Sequence, residues 1–278
     1  MSGLLRYEGM HGPQTEHARR LDRGQASGLS RDEVDAFERD GFVVVRSLLD
    51  ADGCRHLRSV ADAHISDLIE PIEYEADTGY PGAPSSRQAN GGRTARRLLH
   101  AYARDPQFRA WATSRAVRDR LEPLLGPSLT LSQAHHNCVM TKHPAFSSST
   151  GWHQDMRYWN FERPELVTVW LALGHERSDT GGLRVLPGSH ASTFPRESYD
   201  DALFFRTDLE ANAALVAQAR SLDLDPGDVV FFHARLLHAA GRNTGAATKV
   251  ALVFTYHAAD NHPLPGTRSA SLPGIPLG

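Results

Sequence analysis

The sequence predicts a single α+β domain in which a β-sandwich or barrel is flanked by N-terminal helices. Three observations carry that expectation. Helical apolar spacing is confined to the first 125 or so residues; short β-type runs bounded by Gly, Pro, Asp and Asn dominate after residue 128; and strands and helices do not alternate as they do in parallel βαβ sheets. Residues 1–29 are polar, rich in Gly, Arg and His, and are expected to form a flexible arm. Ser30 followed by Glu33 has the spacing of a capping box, opening a helix that carries Val34 and Phe37 and ends at Gly41. Phe42 to Val45 is a β-branched run and predicts a strand. From 49 to 68, Cys54, Leu57, Val60, Ala61, Ile65 and Leu68 recur at helical spacing. The stretch 75–97 is crowded with Gly, Pro, Ser and Asn and is too long for a simple connector, so it is expected to act as a lid. A helical region is predicted from Asp105-Pro106 through Trp111, continued by Ser114 to Leu125 and stopped by Gly126-Pro127. Strands are predicted at 129–140, 166–173, 183–186, 229–232 and 250–256, within one domain spanning 30–260, and 261–278 reads as an irregular tail.

Composition narrows the function. The 278 residues are 40% hydrophobic and 23% charged, with 30 Lys+Arg against 33 Asp+Glu, a formal charge of -3. That balance disfavours a nucleic-acid or anionic-membrane partner. No window approaches a membrane span and the first residues lack an apolar signal core, while two cysteines, Cys54 and Cys138, are too few for a disulfide framework. These features predict a cytoplasmic protein. The only lysines are Lys142 and Lys249, the other 28 basic residues being arginine. No phosphate-cradling GxGxxG or GxxxxGK[ST] element is present.

Chemistry concentrates in Gly151-Trp152-His153-Gln154-Asp155. If the segment is extended, His153 and Asp155 point to one face and can share a metal ion. A third ligand must come from elsewhere, and His238, in the block Pro226 to Asn243 (PGDVVFFHARLLHAAGRN), is the best candidate. Two histidines and one carboxylate with open positions form the facial triad of non-haem Fe(II) oxygenases. Alone, a His-x-Asp pair in a chain with 15 histidines is weak.

The wider context strengthens it. FERDGFVVV at 37–45, GWHQD at 151–155, GLRVLPGSH at 182–190 and the block at 226–243 occur in an order that resembles the phytanoyl-CoA dioxygenase-like family of 2-oxoglutarate-dependent oxygenases, over roughly residues 30–260. The resemblance implies a double-stranded β-helix, the cupin-like jelly roll, holding Fe(II) through His153, Asp155 and His238 as catalytic metal ligands. It implies 2-oxoglutarate and O2 as cosubstrates, with oxidation of a small molecule and release of succinate and CO2. The family's distal-carboxylate anchor, usually arginine, falls eleven residues after the last ligand, on Lys249; Lys142, in Thr141-Lys142-His143-Pro144, falls on a second cosubstrate position. Lysine lacks arginine's bidentate fork, and Arg242 is the fallback anchor. Retention of Asp155 favours hydroxylation or a related oxidation over halogenation.

Other residues carry two readings. Gln133 falls on a strand position that contacts substrate in some relatives, or is a satisfied polar core residue; His135 shares its parity and is the candidate substrate-binding histidine, His136 shares that of Lys142, and a β-bulge would swap the two. Arg157 and Tyr158 either line the substrate mouth or pack on the rim. Arg93, Arg96 and Arg97 form an anion clamp or a solvated helix start. His233 is expected on the opposite face of the strand from His238, in a structural role. A non-oxidative cupin-like isomerase or binding module is the rival function; it would need the three metal ligands but neither lysine.

Overall fold

The computed structural model describes residues 28–278, so the expected N-terminal arm lies almost wholly outside the described residues. The elements in chain order are α1 (Arg31–Asp40), β1 (Phe42–Val45), α2 (Ala51–Ser66), β2 (Ile72–Tyr74), β3 (Ala95–Leu99), α3 (Ala101–Arg104), α4 (Pro106–Ala112), α5 (Arg115–Leu125), β4 (Leu129–Lys142), β5 (Thr150–His153), β6 (Leu166–Ala172), β7 (Leu183–Val185), α6 (Glu210–Val216), β8 (Arg220–Ser221), β9 (Val229–His233), β10 (His238–Ala240), β11 (Lys249–Ala258) and β12 (Ile275–Leu277). Local chemistry accounts for the helix ends. At α1 the Ser30 hydroxyl accepts from the Glu33 N–H while the Glu33 carboxylate accepts from the Ser30 N–H at 2.8 Å. Gly41, at φ 82°, closes the helix in the left-handed region and returns its N–H to the Phe37 carbonyl. The helical region expected over 105–125 divides where its two segments meet, because Ser114 caps α5 by accepting from the Val117 N–H.

The strands form two antiparallel sheets. The larger runs β1-β9-β6-β11-β4-β3-β2, with β12 added to β4; the smaller runs β5-β10-β7-β8. They make an open sandwich of jelly-roll type, and period-two alternation assigns the two faces of the larger sheet. Val139, Val167, Val169, Leu171, Val229, Phe231, Val250, Leu252 and Phe254 point outward and share a core with Leu57, Phe108, Trp111 and Leu121 of the helices. Their neighbours Cys138, Met140, Trp170, Ala172, Val230, Phe232, Ala251 and Val253 point inward and pack with Leu183 and Val185 of the smaller sheet. Lys142, Thr168, Lys249 and Thr255 have the inward parity of their strands, so the site grows out of the inner face.

Two features depart from the expected pattern. Along β11, Phe254 faces Asn137 but Thr255 faces Ser132, so residues 133–136 of β4 bulge out of the ladder. The tail expected to be irregular instead adds β12 to the outer end of β4, and Gln133 Nε2 donates to the Pro273 carbonyl at 2.8 Å.

Candidate active site

His153 and His238 are direct partners in the β5–β10 register. Asp155 does not continue β5 as an extended chain; it opens a 3-10 turn, which swings its carboxylate back over both imidazoles. Asp155 Oδ1 lies 3.6 Å from His153 Nε2 and 3.5 Å from His238 Nε2, and one ligand atom from each residue falls within 4.8 Å of the others. All three are buried. Each histidine uses Nδ1 on a backbone carbonyl, His153 on Gly151 at 2.8 Å and His238 on Leu236 at 3.0 Å, which fixes Nδ1 as the protonated nitrogen and leaves Nε2 a bare lone pair aimed at the centre. Asp155 Oδ1 is buried without a hydrogen-bond donor, whereas Oδ2 accepts from Thr168 Oγ1 at 3.3 Å and lies 3.5 Å from His136 Nδ1. An orphaned carboxylate oxygen facing two free imidazole nitrogens fits a divalent metal ion.

Protonation follows the same geometry. Burial pulls His153 well below the ordinary histidine value, and the nearby His238 adds to the shift. Burial would raise the Asp155 carboxyl, but His136, His238 and His153 outweigh it and hold it below the usual range. Neutral imidazoles and an ionised carboxylate are the forms that ligate.

Lys142 and Lys249 are likewise direct cross-strand partners, on β4 and β11. Both line the cavity that contains the triad, together with Arg96, Arg97, His136 and Tyr158. Their surroundings differ. Lys249 Nζ sits 3.0 Å from Glu176 Oε2 and 4.8 Å above the Trp170 ring, while Trp170 Nε1 donates to the other Glu176 oxygen at 2.9 Å. Lys142 Nζ donates to the carbonyls of Ser148 at 2.7 Å and Ala240 at 3.5 Å, and among the described residues no carboxylate lies within ion-pair distance. Burial, then the charges of Arg96 and Lys249, push its pKa well down. Arg96 is buried too, donating to the Thr141 carbonyl and Thr150 Oγ1, with Nε 3.7 Å from Glu75 Oε1. Arg97 pairs with Glu73.

The remaining candidates separate. Tyr158 lines the cavity, and its hydroxyl meets that of Tyr80 at 3.3 Å. The bulge gives the inward position to His136, while His135 faces a neighbouring cleft beside Tyr158 and Trp159. Gln133 also borders that cleft and fastens the tail. Arg157 stacks 3.8 Å over Phe204 and lines a separate groove. Arg242 is exposed, donates to the Ser147 carbonyl and does not line the cavity. His233 and His238 stand on different strands rather than on opposite faces of one, and His233 Nδ1 accepts from the Arg235 N–H at 3.0 Å. Sequence reasoning missed Glu176, Glu75 and Thr168. The signal available was indirect: two inward-facing lysines need anionic partners, and Glu176 closely follows the strand beside Lys249.

The family model described as phytanoyl-CoA dioxygenase (PhyH) matches residues 37–251. The chain belongs to the phytanoyl-CoA dioxygenase family. Among curated proteins, it is 24% identical to the peroxisomal phytanoyl-CoA dioxygenase of Homo sapiens over 252 residues, covering 84% of this chain and 70% of that one. It is also 24% identical to the ectoine dioxygenase of Sphingopyxis alaskensis, covering 84% and 77%. Among solved structures, EctD from S. alaskensis with 2-oxoglutarate and 5-hydroxyectoine superposes with a TM-score of 0.72 at 19% identity, covering 92% of this chain and 89% of that one. The non-heme alpha-ketoglutarate-dependent carbocyclase SnoK from nogalamycin biosynthesis gives 0.69 at 20% identity, covering 92% and 96%. These likenesses establish the jelly-roll fold.

Proposed function

We propose that this member of the phytanoyl-CoA dioxygenase family is an Fe(II)- and 2-oxoglutarate-dependent dioxygenase that oxidises a small molecule, with release of succinate and CO2. One observation carries the reading: a buried His153–Asp155–His238 cluster and the chain's only two lysines line the same cavity. Iron bound there would supply Lewis acidity and redox chemistry for O2 at open coordination positions. His153, His238 and Asp155 would hold it, with Thr168 donating to Oδ2 of the carboxylate and His136 Nδ1 standing 3.5 Å from the same oxygen. Lys142, Arg96 and Lys249 place positive charge in the same enclosure, where the far carboxylate of a dicarboxylic cosubstrate would be desolvated and needs cationic donors. Because Glu176 already compensates Lys249, Lys142 is the cation left to balance that carboxylate. Tyr158 and His136 stand where substrate would enter. A non-oxidative metal protein would have no use for two buried lysines here, each costly to desolvate. The two cysteines are buried and free, which supports a cytosolic setting.

The deciding experiment follows succinate release by the purified protein with Fe(II), O2 and 2-oxoglutarate, with and without pools of candidate small molecules. Slow turnover alone, accelerated by a substrate pool, is expected. Binding of Fe(II) with no 2-oxoglutarate consumption under any pool would move the protein to the non-oxidative class.

A further inference from the structure

A second cleft of about 200 Å³ opens beside the metal cavity and shares Arg97, His136 and Tyr158 with it. Its far side is built by the β4 bulge and the tail, which contributes Arg268. The tail is held there by β12 on β4, by Gln133 on Pro273 and by the Asn160 N–H donating to Ser269 Oγ at 2.9 Å. Arg268 is exposed, and among the described residues its guanidinium has neither a carboxylate nor a hydrogen-bond partner. Asn137, 4% exposed, also lines the cleft; its Oδ1 accepts from the Tyr102 N–H, but Nδ2 is buried without an acceptor. The cleft's one carboxylate, Glu73, is bound to Arg97. A guanidinium and a buried amide N–H, both without partners among the described residues, therefore line a cleft that shares three residues with the metal cavity and holds no unpaired carboxylate.

Resting on the dioxygenase reading, we propose that this cleft is the substrate site and that the substrate is a small organic acid, its carboxylate on Arg268 and Asn137 and its carbon skeleton directed past His136 and Tyr158 toward the triad. The acid group fixes the distance of the oxidised carbon from the metal, so Arg268 is a specificity-determining residue. His135, which burial drives down to about 3, stays neutral beside it and adds no competing charge.

The test uses Mn(II)-loaded protein with 2-oxoglutarate present and reads paramagnetic broadening of probe protons, which reports proximity to the metal without turnover. The probes are phenylacetate, octanoate and phenyl phosphate, against the neutral phenylacetamide and octanamide. The carboxylates should broaden far more than the amides. Arg268→Ala should weaken their binding about 10- to 100-fold, as expected for a lost charge-assisted hydrogen bond, and leave 2-oxoglutarate affinity unchanged. Arg268→Lys should restore part of it. Because Arg268 is exposed, its removal does not threaten the fold. Equal broadening by acids and amides, unchanged binding in Arg268→Ala, or no acid binding at millimolar concentration overturns the proposal. Tighter binding of phenyl phosphate than of either carboxylate overturns the choice of acid. Loss of 2-oxoglutarate affinity in Arg268→Ala would give the cleft to the cosubstrate. Failure of the dioxygenase reading is distinct, appearing as wild-type protein that binds no 2-oxoglutarate.

Discussion

Two cross-strand pairs face one cavity, His153 with His238 and Lys142 with Lys249, and on the proposed reading they carry the chemistry. Replacing His153, Asp155 or His238 by Ala is expected to abolish iron binding and turnover while lowering the unfolding midpoint of the metal-free protein only modestly, by about the 0.5–1.5 kcal/mol of the one hydrogen bond each side chain gives up; metal titration and thermal melts check both. The lysines should behave differently from each other. Lys249→Met strands the Glu176 carboxylate in a dry site, a loss of about 3–5 kcal/mol of stability, and the double variant with Glu176→Gln should recover most of it in denaturant unfolding. Lys142→Met, with no carboxylate to strand, should keep its stability better and lose 2-oxoglutarate affinity by about 30-fold or more, as for a carboxylate left unpaired, measured by calorimetry on Mn(II)-loaded protein. Lys142 also sets a pH dependence. Its depressed pKa means that an anion binding beside it draws a proton in, so affinity falls as pH rises through the free-state value, and the heat of binding varies with buffer ionisation enthalpy. The chain's two lysines were legible because they are rare. Glu176 was not, because an ion pair across 73 residues leaves no local pattern.

At the scale of elements, strand β1 and the capped helix before it lie where the residues place them, because a capping box, a left-handed glycine and a β-branched run act locally. The small sheet was less legible. β10 and β8 have three and two residues, too short to show a period, and their pairing depends on contacts distant in sequence. Parity reasoning placed His153 and Asp155 together for the wrong local reason, since a 3-10 turn and not a strand delivers the carboxylate. The turn before β7 ties this element to the site. Gly181 has φ 73°, and a Cβ there would come within 2.7 Å of both the Gly241 carbonyl and Lys142 Cδ. Gly181→Ala is therefore expected to cost about 1–3 kcal/mol in backbone strain and to displace the lysine. A lower urea midpoint accompanied by weaker 2-oxoglutarate binding would confirm the coupling; loss of stability with unchanged binding would show that Lys142 simply steps aside.

Across the whole molecule, several partly or fully buried histidines make the fold acid-sensitive. Burial lowers His233 to about 4 and His135 to about 3, and lowers His257 as well. Unfolded chains take up protons on these groups near pH 6.5 while the folded protein does not, so their contribution is complete above that value and is lost as pH falls toward the folded values, at about 1.4 kcal/mol per pH unit per group. Urea midpoints between pH 7 and pH 4 should decline accordingly, and His233→Phe should flatten part of the slope. The sandwich has a consequence of another kind. The histidine pair sits on the small sheet and the lysine pair on the large one, so the span between the candidate metal ligands and the lysines is set by the gap between two packed β-layers, a dimension held by the side chains of the shared core and not by any ligand. The molecule thus carries a ruler. On the proposed reading, exchanging one lysine for another cation would alter how tightly a dicarboxylate is gripped, whereas the length of dicarboxylate accepted would follow the packing of Met140, Ala172, Val185 and Phe232 between the layers.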